Sequence, residues 1–380
     1  MIFRPIGKTG MKASIIGLGT EYLDNRPYEV SEEVIDAALE SGVNIFDLFM
    51  PGTAVRENIS RALKGRRDQV LLQGHIGSIE TNGQYDRTRD VPTCRKYFDD
   101  LQRILKTDYI DIGMMFFIDT EEDFKGVFET DYISYVQQLK QDGRIRAIGA
   151  SSHNPEIAAK VVNTGTIELL MFSVNLAFDM LPSDIYALSF MEDDFGHIRL
   201  DGINPARARL YELCESKGVA ITTMKTLGAG RLLSKDLTPF DQVLTVGQCI
   251  HYALTRPAVV SSLIGCKSRS EVLEAVNYLN LTEEQRDYSS ALKSLRGTLN
   301  GKCAYCNHCL PCPSQIDIAA TTRLLDIASL DGIVTPKLRE QYDALPRKAS
   351  ECIACGSCES KCPFSVRVIE NMNRAAALFE

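Results

Sequence analysis

Two runs of closely spaced cysteines, CAYCNHCLPCP and CIACGSCESKCP, lie between residues 303 and 362 of this 380-residue chain. They hold eight of the twelve cysteines: Cys303, Cys306, Cys309, Cys312, Cys352, Cys355, Cys358 and Cys362. In an intracellular chain, thiols clustered in this way bind metal more often than they form disulfides. Two-residue spacers let successive thiolates surround three corners of one iron–sulfur cube. The other four are expected to be ordinary core or helix thiols: Cys94, Cys214, Cys249 and Cys266.

The second run resembles the C-x2-C-x2-C-x3-C-P motif of bacterial ferredoxins, and the first is one residue shorter in its last spacer. In two-cluster ferredoxins the fourth cysteine of each run ligates the other cluster. The resemblance therefore implies one 4Fe-4S cluster on Cys303, Cys306, Cys309 and Cys362, and a second on Cys352, Cys355, Cys358 and Cys312. Four-thiolate zinc sites, built from paired C-x2-C motifs, are the alternative. Such sites do not need a third cysteine at the same spacing, or a Cys-Pro end, in each of two runs. Helical periodicity between the runs predicts a mainly α-helical ferredoxin-like domain.

Candidate catalytic residues follow apolar runs in the longer, N-terminal part of the chain. Asp47 ends the segment NIFD, and His75 ends the segment VLLQGH. A carboxylate beside an imidazole orients the ring and stabilises its protonated form, which suits acid–base catalysis. The alternative is that a backbone group satisfies Asp47 and that His75 is a packed, neutral histidine. Tyr22, Lys225 and His153 are further candidates, although polar residues at strand ends often only cap the next helix.

Two later segments, KTLGAGRLL and GCKSRSE, have the composition of a phosphate site. Gly228 and Gly230 would let backbone amides approach phosphate oxygens. The other residues, Lys267, Ser268 and Arg269, stand at the start of a predicted helix, where the dipole and free N–H groups favour an anion. The alternative is a pair of turns with ordinary capping. We favour a phosphate-bearing ligand at these positions.

The elements that position these residues alternate between apolar runs and amphipathic stretches. The candidate strands are Ser14–Leu18, Asn44–Phe46, Val70–Gln73, Tyr109–Met115, Ile145–Ala150, Leu169–Val174, Val219–Met224 and Val259–Ile264. Strands of this kind separated by helices predict a parallel sheet, and eight such units fit an α/β fold of the (β/α)8 TIM-barrel type. Active sites of such barrels lie at the carboxyl ends of the strands, where the candidate residues would meet. The long loop at residues 176–203 is expected to fold over one rim as a lid or a docking surface.

The composition excludes several classes of protein. Acidic residues outnumber basic ones by 50 to 42, which argues against a nucleic-acid partner or an anionic membrane surface. No apolar stretch is long enough to span a membrane, and the first residues lack the apolar core of a signal peptide. With 44% hydrophobic residues the chain can build a large core. We therefore expect a soluble, cytoplasmic protein.

Several segments together resemble the aldo/keto reductases: FRPIGKTGMKASIIGLGTEYL, GVNIFD, ISRALKGRRDQV, YIDIGMM and GRIRAIGASSHNPE. They occur in the family's order over roughly residues 1–280. The resemblance implies a barrel that binds NADP(H) and reduces carbonyls with an Asp, Tyr, Lys and His tetrad. Asp47 matches the acid, but Gly52, His75 and Phe116 stand where the family has Tyr, Lys and His. Without the phenol, carbonyl reduction by the family's mechanism is disfavoured.

The same resemblance implies part of a nicotinamide site. Ser151 and Ser152 resemble the Ser-Asn pair that holds the carboxamide, with a departure at the second residue. Asn175 falls near the family's amide contact. The whole chain is similar to aldo/keto reductase–ferredoxin fusions of anaerobic bacteria and archaea, with residues 1–285 as the barrel and 286–380 as the ferredoxin-type domain.

The sequence thus predicts an iron–sulfur oxidoreductase with a rebuilt active site and an unspecified small-molecule substrate. Nicotinamide carries a hydride whereas each cluster carries one electron, so direct exchange between them is difficult. In one possibility the barrel binds NADP(H), or another phosphate-bearing redox ligand, and the clusters connect it to ferredoxin or another electron carrier. In a second, the same phosphate site holds a flavin. In a third, the chain is a non-catalytic electron-transfer subunit whose barrel is a docking platform.

Overall fold

The computed structural model describes residues 1–182, 185–187, 200, 202–295, 297 and 299–380. Most of the long loop predicted at residues 176–203 lies outside this part of the chain, so its role as a lid or docking surface stays a prediction. None of the described helices is both long and apolar enough to cross a membrane.

A closed barrel of parallel strands forms the N-terminal part of the molecule. Its strands are β3 (Ile16–Gly19), β4 (Ile45–Leu48), β5 (Leu71–Ile76), β8 (Ile110–Met115), β9 (Ile145–Ser152), β10 (Leu169–Ser173), β11 (Ala220–Met224) and β12 (Val259–Gly265). The barrel closes where β12 pairs with β3, with Gly265 opposite Gly19. Each strand overlaps one of the eight predicted runs, so the predicted TIM-barrel class is confirmed.

Helices connect the strands and cover the outside of the barrel. They are α1 (Tyr28–Glu40), α2 (Thr53–Ala62), α3 (Val91–Leu105), α4 (Glu121–Phe128), α5 (Asp131–Gln141), α6 (Pro155–Asn163), α7 (Pro205–Lys217), α8 (Val246–Leu254), α9 (Arg269–Val276) and α10 (Glu283–Arg286). The local sequence determines where two of these helices begin. Asn154 and Asn204, each followed by proline, cap α6 and α7 with their side-chain oxygens.

Two antiparallel hairpins flank the barrel. Strands β1 (Phe3–Pro5) and β2 (Lys12–Ser14) precede it and lie at the amino ends of the barrel strands, where Arg4 donates to the backbone oxygens of Leu254 and Val259. Strands β6 (Ser78–Thr81) and β7 (Gln84–Arg87) lie at the opposite, carboxyl end. Apolar side chains fill the space between the two ends: Ile6, Met11, Ala13, Ile45, Ile112, Met114, Ala147, Leu169, Met171, Ala220, Val260 and Leu263. The barrel is therefore a packed core and not a pore.

The C-terminal region is built from helices α11 (Ile318–Asp331), α12 (Pro336–Asp343), α13 (Ser357–Lys361) and α14 (Val368–Phe379). No strand occurs after residue 286 among the residues that the structure describes, which confirms the predicted helical class. Helix α11 ends at Gly332, whose φ of 65° is the left-handed conformation that glycine adopts most easily. The exact domain boundary near residue 285 stays a prediction.

The C-terminal region docks on the amino-terminal end of the barrel. Glu215, which is buried near the end of α7, accepts hydrogen bonds from the Gln341 side chain at 2.6 Å and from the backbone of Ala258. Arg256, which lies just before β12, donates to the backbone oxygen of Ala304 at 3.1 Å. Burial raises the pKa of Glu215, but the nearby Lys337 and Arg323 charges and these hydrogen bonds outweigh it, so the pKa is lowered. The carboxylate therefore stays ionised and joins the two parts.

A buried hydrogen-bond network connects helices α7 and α8 to the loop after β10. Asp179, which is 1% exposed, accepts hydrogen bonds from Arg207 Nε at 2.7 Å, Tyr211 Oη at 2.5 Å and Tyr252 Oη at 2.7 Å. Burial and the Asp179 charge raise the pKa of both phenols well above its usual value, although nearby arginines oppose that shift. Both tyrosines therefore stay neutral hydrogen-bond donors.

We expect Asp179→Ala to lower the free energy of unfolding by about 3–5 kcal/mol, because it leaves the buried Arg207 charge without its partner. The matched control is Asp100→Ala, since the Asp100 side chain is 40% exposed and pairs with Arg103 one turn away at 2.9 Å. That change should cost no more than about 0.5 kcal/mol. Urea unfolding followed by far-UV circular dichroism measures both. Equal effects of the two variants would contradict the role of the network.

Candidate functional sites

A cavity of about 320 Å³ opens at the carboxyl ends of the barrel strands. Its deep end is aromatic: Phe116 meets the His75 ring edge-on at a centroid distance of 5.2 Å, and Phe49 lies 6.1 Å from it. Met171, Met224 and Leu263 complete the apolar floor. Such a cavity binds an organic group and excludes water around the few polar side chains that reach it.

Asp47 and His75 form a hydrogen-bonded pair in this cavity. The distance between His75 Nε2 and Asp47 Oδ1 is 2.8 Å, and both residues are at most 3% exposed. Gln73 also donates to Asp47 Oδ1 at 3.1 Å. His75 Nδ1 is buried and has no hydrogen-bond partner among the described residues. The carboxylate therefore places the ring proton on Nε2 and leaves a lone pair on Nδ1, and the two predicted residues do lie together.

A second carboxylate–histidine pair, which sequence reasoning did not assemble, lies on the neighbouring strands. His153 Nδ1 is 2.9 Å from Asp119 Oδ2, and the Ser152 hydroxyl donates to Asp119 Oδ1 at 2.9 Å. Tyr186 also donates to Asp119. Burial raises the pKa of Asp119, but the hydrogen bond and charge of His153 outweigh it, and the pKa is lowered. The only signal in the sequence was that FFID and SSHN follow adjacent predicted strands.

Charged and phenolic side chains surround the mouth of the cavity. Lys267 Nζ lies 4.6 Å from the centre of the Tyr22 ring, which packs against Gly265, where a Cβ would come within 2.7 Å of the ring. Lys225 lies 3.9 Å from Glu21. Burial, together with Glu21 and Glu271, raises the pKa of Tyr22. The predicted residues Tyr22, Lys225 and Lys267 therefore lie together at the mouth of the cavity, whereas apolar side chains form its floor.

Tyr85 is a second phenol in the cavity wall, and sequence reasoning missed it. It comes from the β6–β7 hairpin, not from a barrel strand, and its ring meets Phe49 edge-on at 5.4 Å. Burial and Glu21 raise its pKa. Nothing in the local sequence distinguishes this tyrosine, because only the folding of the hairpin over the rim brings it to the cavity.

The residues predicted for a nicotinamide site divide into two groups. Ser151 lines the cavity, and its Oγ accepts a hydrogen bond from the backbone of Phe117 at 2.8 Å. Ser152 bonds to Asp119 instead. Asn175 uses both ends of its amide within the protein, donating to the backbone of Lys225 at 2.9 Å and accepting from that of Phe178 at 2.8 Å. Only Ser151 of these three is in a position to touch a bound ring.

The residues predicted for a phosphate site also divide into those that line the cavity and those that do not. Gly230 lines the cavity with a φ of 86°, and Gly228, beside it, has a φ of 57°. Ser268 caps α9, and Arg269 pairs with Glu40 at 2.5 Å on the outer surface. Neither Ser268 nor Arg269 lines the cavity. Of the predicted phosphate site, Lys267 and the glycine turn at Gly230 face the cavity.

The cysteines of the two runs form two sets, and each set combines three residues of one run with one of the other. Cys352, Cys355, Cys358 and Cys312 line one small cavity together with apolar residues such as Ile318 and Met372. Four thiols around a dry cavity suit a cluster, so the residues present fit this group.

The second set is Cys303, Cys306, Cys309 and Cys362. Burial is the main cause that raises the pKa of Cys303, Cys306 and Cys309. For each of these thiols, the charge of another cysteine of the same set raises the pKa further. Cys306 and Cys309 both have Cys362 among these neighbours, and Cys309 also has Cys358 of the other set. These contacts are compatible with the grouping that the ferredoxin resemblance implies, which stays a prediction, and Cys309 and Cys358 bring the two sets next to one another.

The remaining candidates among the cysteines and histidines are not ligands of either set. Cys94, Cys214, Cys249 and Cys266 are buried, as expected of core thiols. His308, inside the first run, is exposed, and its Nδ1 lies 2.6 Å from Asp287.

Comparisons with known proteins agree with this architecture. Residues 15–245 match the aldo/keto reductase family, and residues 302–367 match a 4Fe-4S dicluster domain. The oxidoreductase YqkF of Bacillus subtilis is 25% identical over 301 residues, covering 74% of this chain and 93% of its own. L-galactose dehydrogenase of Arabidopsis thaliana is 25% identical over 295 residues, covering 72% and 86%.

The fold comparison points the same way. The holo form of the aldo-keto reductase AKR11C1 from Bacillus halodurans has a TM-score of 0.59 and 21% identity, and it covers 75% of this chain and 94% of its own. The likeness in fold covers the barrel, and the family match covers more than half of the chain. This chain belongs to the aldo/keto reductase family and carries a C-terminal 4Fe-4S dicluster domain.

Proposed function

We propose that this chain is an iron–sulfur oxidoreductase whose barrel cavity carries out acid–base chemistry on a small-molecule substrate. The observation that carries the proposal is the 2.8 Å contact between His75 Nε2 and Asp47 Oδ1 in an aromatic cavity. Two relatives, an oxidoreductase of Bacillus subtilis and a dehydrogenase of Arabidopsis thaliana, support the same general class. The two 4Fe-4S clusters would exchange single electrons with ferredoxin or another carrier. We keep the cytoplasm as the predicted location.

The Asp47–His75 pair takes the place of the family's phenol-based proton donor in this proposal. Asp47 holds the ring by its Nε2–H, so that Nδ1 accepts the proton released by the substrate or returns it in the reverse direction. The imidazolium formed in this way is stabilised by the carboxylate, while Phe49 and Phe116 keep water away. Tyr22 and Tyr85 are the phenols of the cavity wall and would position the substrate.

A phosphate-bearing redox cofactor, NADP(H) or a flavin, fits part of the same cavity. Lys267 and the Gly228–Gly230 turn would hold its phosphates, and Ser151 would face its ring. When bound, either cofactor would supply the transfer of two electrons, and a flavin would also divide them into single steps. Ser152 and Asn175 already have protein partners, so we do not assign contacts to them.

The position of the clusters favours a second candidate function. The dicluster region docks on the amino-terminal end of the barrel, whereas the cavity opens at the carboxyl end. A strand of seven residues such as β12 spans about 20 Å at 3.3 Å per residue, which is a long path for an electron. This separation supports an electron-transfer subunit whose barrel is a docking platform, and the experiments below separate the two functions.

We expect His75→Gln to reduce turnover by about 10²- to 10⁴-fold, because it removes the general base. Turnover is measured with a substrate found by screening carbonyl compounds and alcohols against NADP(H) or reduced ferredoxin. Cluster absorbance and melting temperature should remain near those of the parent protein, and Asp100→Asn on the outer surface is the matched control. A fall in melting temperature that accounts for the lost activity would show that His75 is only a packing residue.

We expect Lys267→Ala to weaken NADPH binding about tenfold, because one charge-assisted hydrogen bond to phosphate is lost. Quenching of nucleotide fluorescence measures it, and Arg269→Ala is the control, since that arginine pairs with Glu40 outside the cavity. A yellow protein that releases flavin on heating would identify the flavin alternative. Absence of any ligand, together with rapid reduction of the clusters by ferredoxin, would support the electron-transfer subunit.

We expect about eight iron atoms and matching sulfide per chain, against zinc without sulfide if the sites bind zinc. Cys312→Ser and Cys355→Ser should disturb the same electron paramagnetic resonance signal of the reduced protein. Cys303→Ser and Cys362→Ser should disturb the other signal, and Cys214→Ser should disturb neither. Loss of one signal by Cys312→Ser together with Cys303→Ser would show that each run holds its own cluster.

A further inference from the structure

A second large cavity, of about 510 Å³, lies at the opposite end of the barrel from the first. Barrel residues such as Arg4, Val219 and Val260 form one side of it. Tyr305, which lies between Cys303 and Cys306, and residues of helices α11 and α12 form the other side. The cavity therefore lies between the barrel and the dicluster region, and it belongs to neither the barrel's rim nor the two cysteine sets.

Basic side chains outnumber acidic ones around this cavity. Its basic residues are Arg4, Arg256, Arg286, Arg323 and Lys337, and its acidic residues are Glu215, Glu283 and Asp317. Glu283 pairs with Arg286 and Glu215 with Lys337, each at 3.5 Å, and the Asp317 carboxylate caps α11 through the backbone of Ala320. Among the described residues, no carboxylate lies within ion-pair distance of the three remaining arginines.

Arg4 and Arg323 both line this cavity, where Glu215 is the carboxylate that acts on both of their charges. Arg4 donates only to backbone oxygens, at 2.9 and 2.6 Å, and Arg323 makes no hydrogen bond or ion pair with the part of the chain that the structure describes. Burial lowers the pKa of Arg4 and the charge of Arg323 lowers it further, whereas Tyr278 and Glu215 oppose this shift without cancelling it. Two like charges in a partly enclosed space are unfavourable, and a bound anion would relieve that cost.

His251 supplies a hydrogen-bond donor in the same wall. It is 5% exposed, its Nδ1 lies 3.1 Å from the hydroxyl of Tyr278, and its buried Nε2 has no partner among the described residues. Burial, Arg286 and Arg256 lower the pKa of His251 to about 4, so the ring is neutral at pH 7. When the Tyr278 hydroxyl donates to Nδ1, the ring proton is on Nε2, which is then a buried, unpaired donor of a residue that lines the cavity.

We propose that this interdomain cavity binds a phosphate-bearing small molecule between Arg4, Arg323 and His251. Three donors from separate elements suit the three terminal oxygens of a phosphate better than the two oxygens of a carboxylate. The ligand bridges the barrel and the dicluster region, so its binding strengthens their docking. Its negative charge next to Tyr305 also lowers the reduction potential of the nearer cluster.

The test is isothermal titration calorimetry of the full chain, with its clusters in place, using inorganic pyrophosphate in chloride buffer at constant ionic strength. Arg323→Gln should weaken binding about tenfold, because a charge-assisted hydrogen bond is lost. Glu215 keeps its ion pair with Lys337 at 3.5 Å when the Arg323 charge is removed, and a melting curve checks that the variant folds. The control is Arg103→Gln, since Arg103 is exposed and pairs only with Asp100.

Lys267→Ala separates this site from the rim of the barrel. Pyrophosphate binding that survives Lys267→Ala and is weakened by Arg323→Gln supports the interdomain site. Binding lost with Lys267→Ala and unchanged in Arg323→Gln overturns it, and so does the absence of binding to the parent protein. Citrate is titrated in parallel, and tighter binding of citrate would overturn the assignment to phosphate. In the same preparations, pyrophosphate should lower the midpoint potential of one cluster, but not in Arg323→Gln.

Discussion

Closure of the barrel by the pairing of β12 with β3 fixes where all the chemistry of this chain can occur. The strands are parallel, so every carboxyl end lies at one rim and every amino end at the other. Asp47, His75 and Lys267 come from distant parts of the sequence and share the first rim for this reason. The residues that precede β11 and β12 lie at the second end, where the dicluster region docks.

The two ends suit different tasks. The carboxyl end has an aromatic cavity in which a carboxylate–imidazole pair is shielded from water, an environment that strengthens electrostatic interactions and suits proton transfer. The amino end is covered by the β1–β2 hairpin and by residues of the dicluster region. Since the packed barrel core lies between them, the proposed proton chemistry and the proposed one-electron chemistry would take place at opposite ends of the barrel.

Buried charge organises the contact between the barrel and the dicluster region. Glu215 stays ionised there because Lys337, Arg323 and two hydrogen bonds offset the cost of burial. Arg256 donates to the backbone beside the first cysteine run and has no carboxylate partner among the described residues. An interface with this excess of positive charge differs from an ordinary apolar domain contact, and it is the basis of the proposed anion site.

The sequence by itself determined the barrel strands and the helical character of the C-terminal region, because periodicity and spacing are local properties of the chain. It also placed Asp47 and His75 on neighbouring strands. Only the tertiary structure decided that Asp119 pairs with His153, that Tyr85 reaches the cavity, and that Arg269 turns to Glu40 while Lys267 lines the cavity. The arginine-lined cavity likewise depends on how two separately folded parts pack, and side-chain direction and long-range packing are not encoded in the spacing of residues.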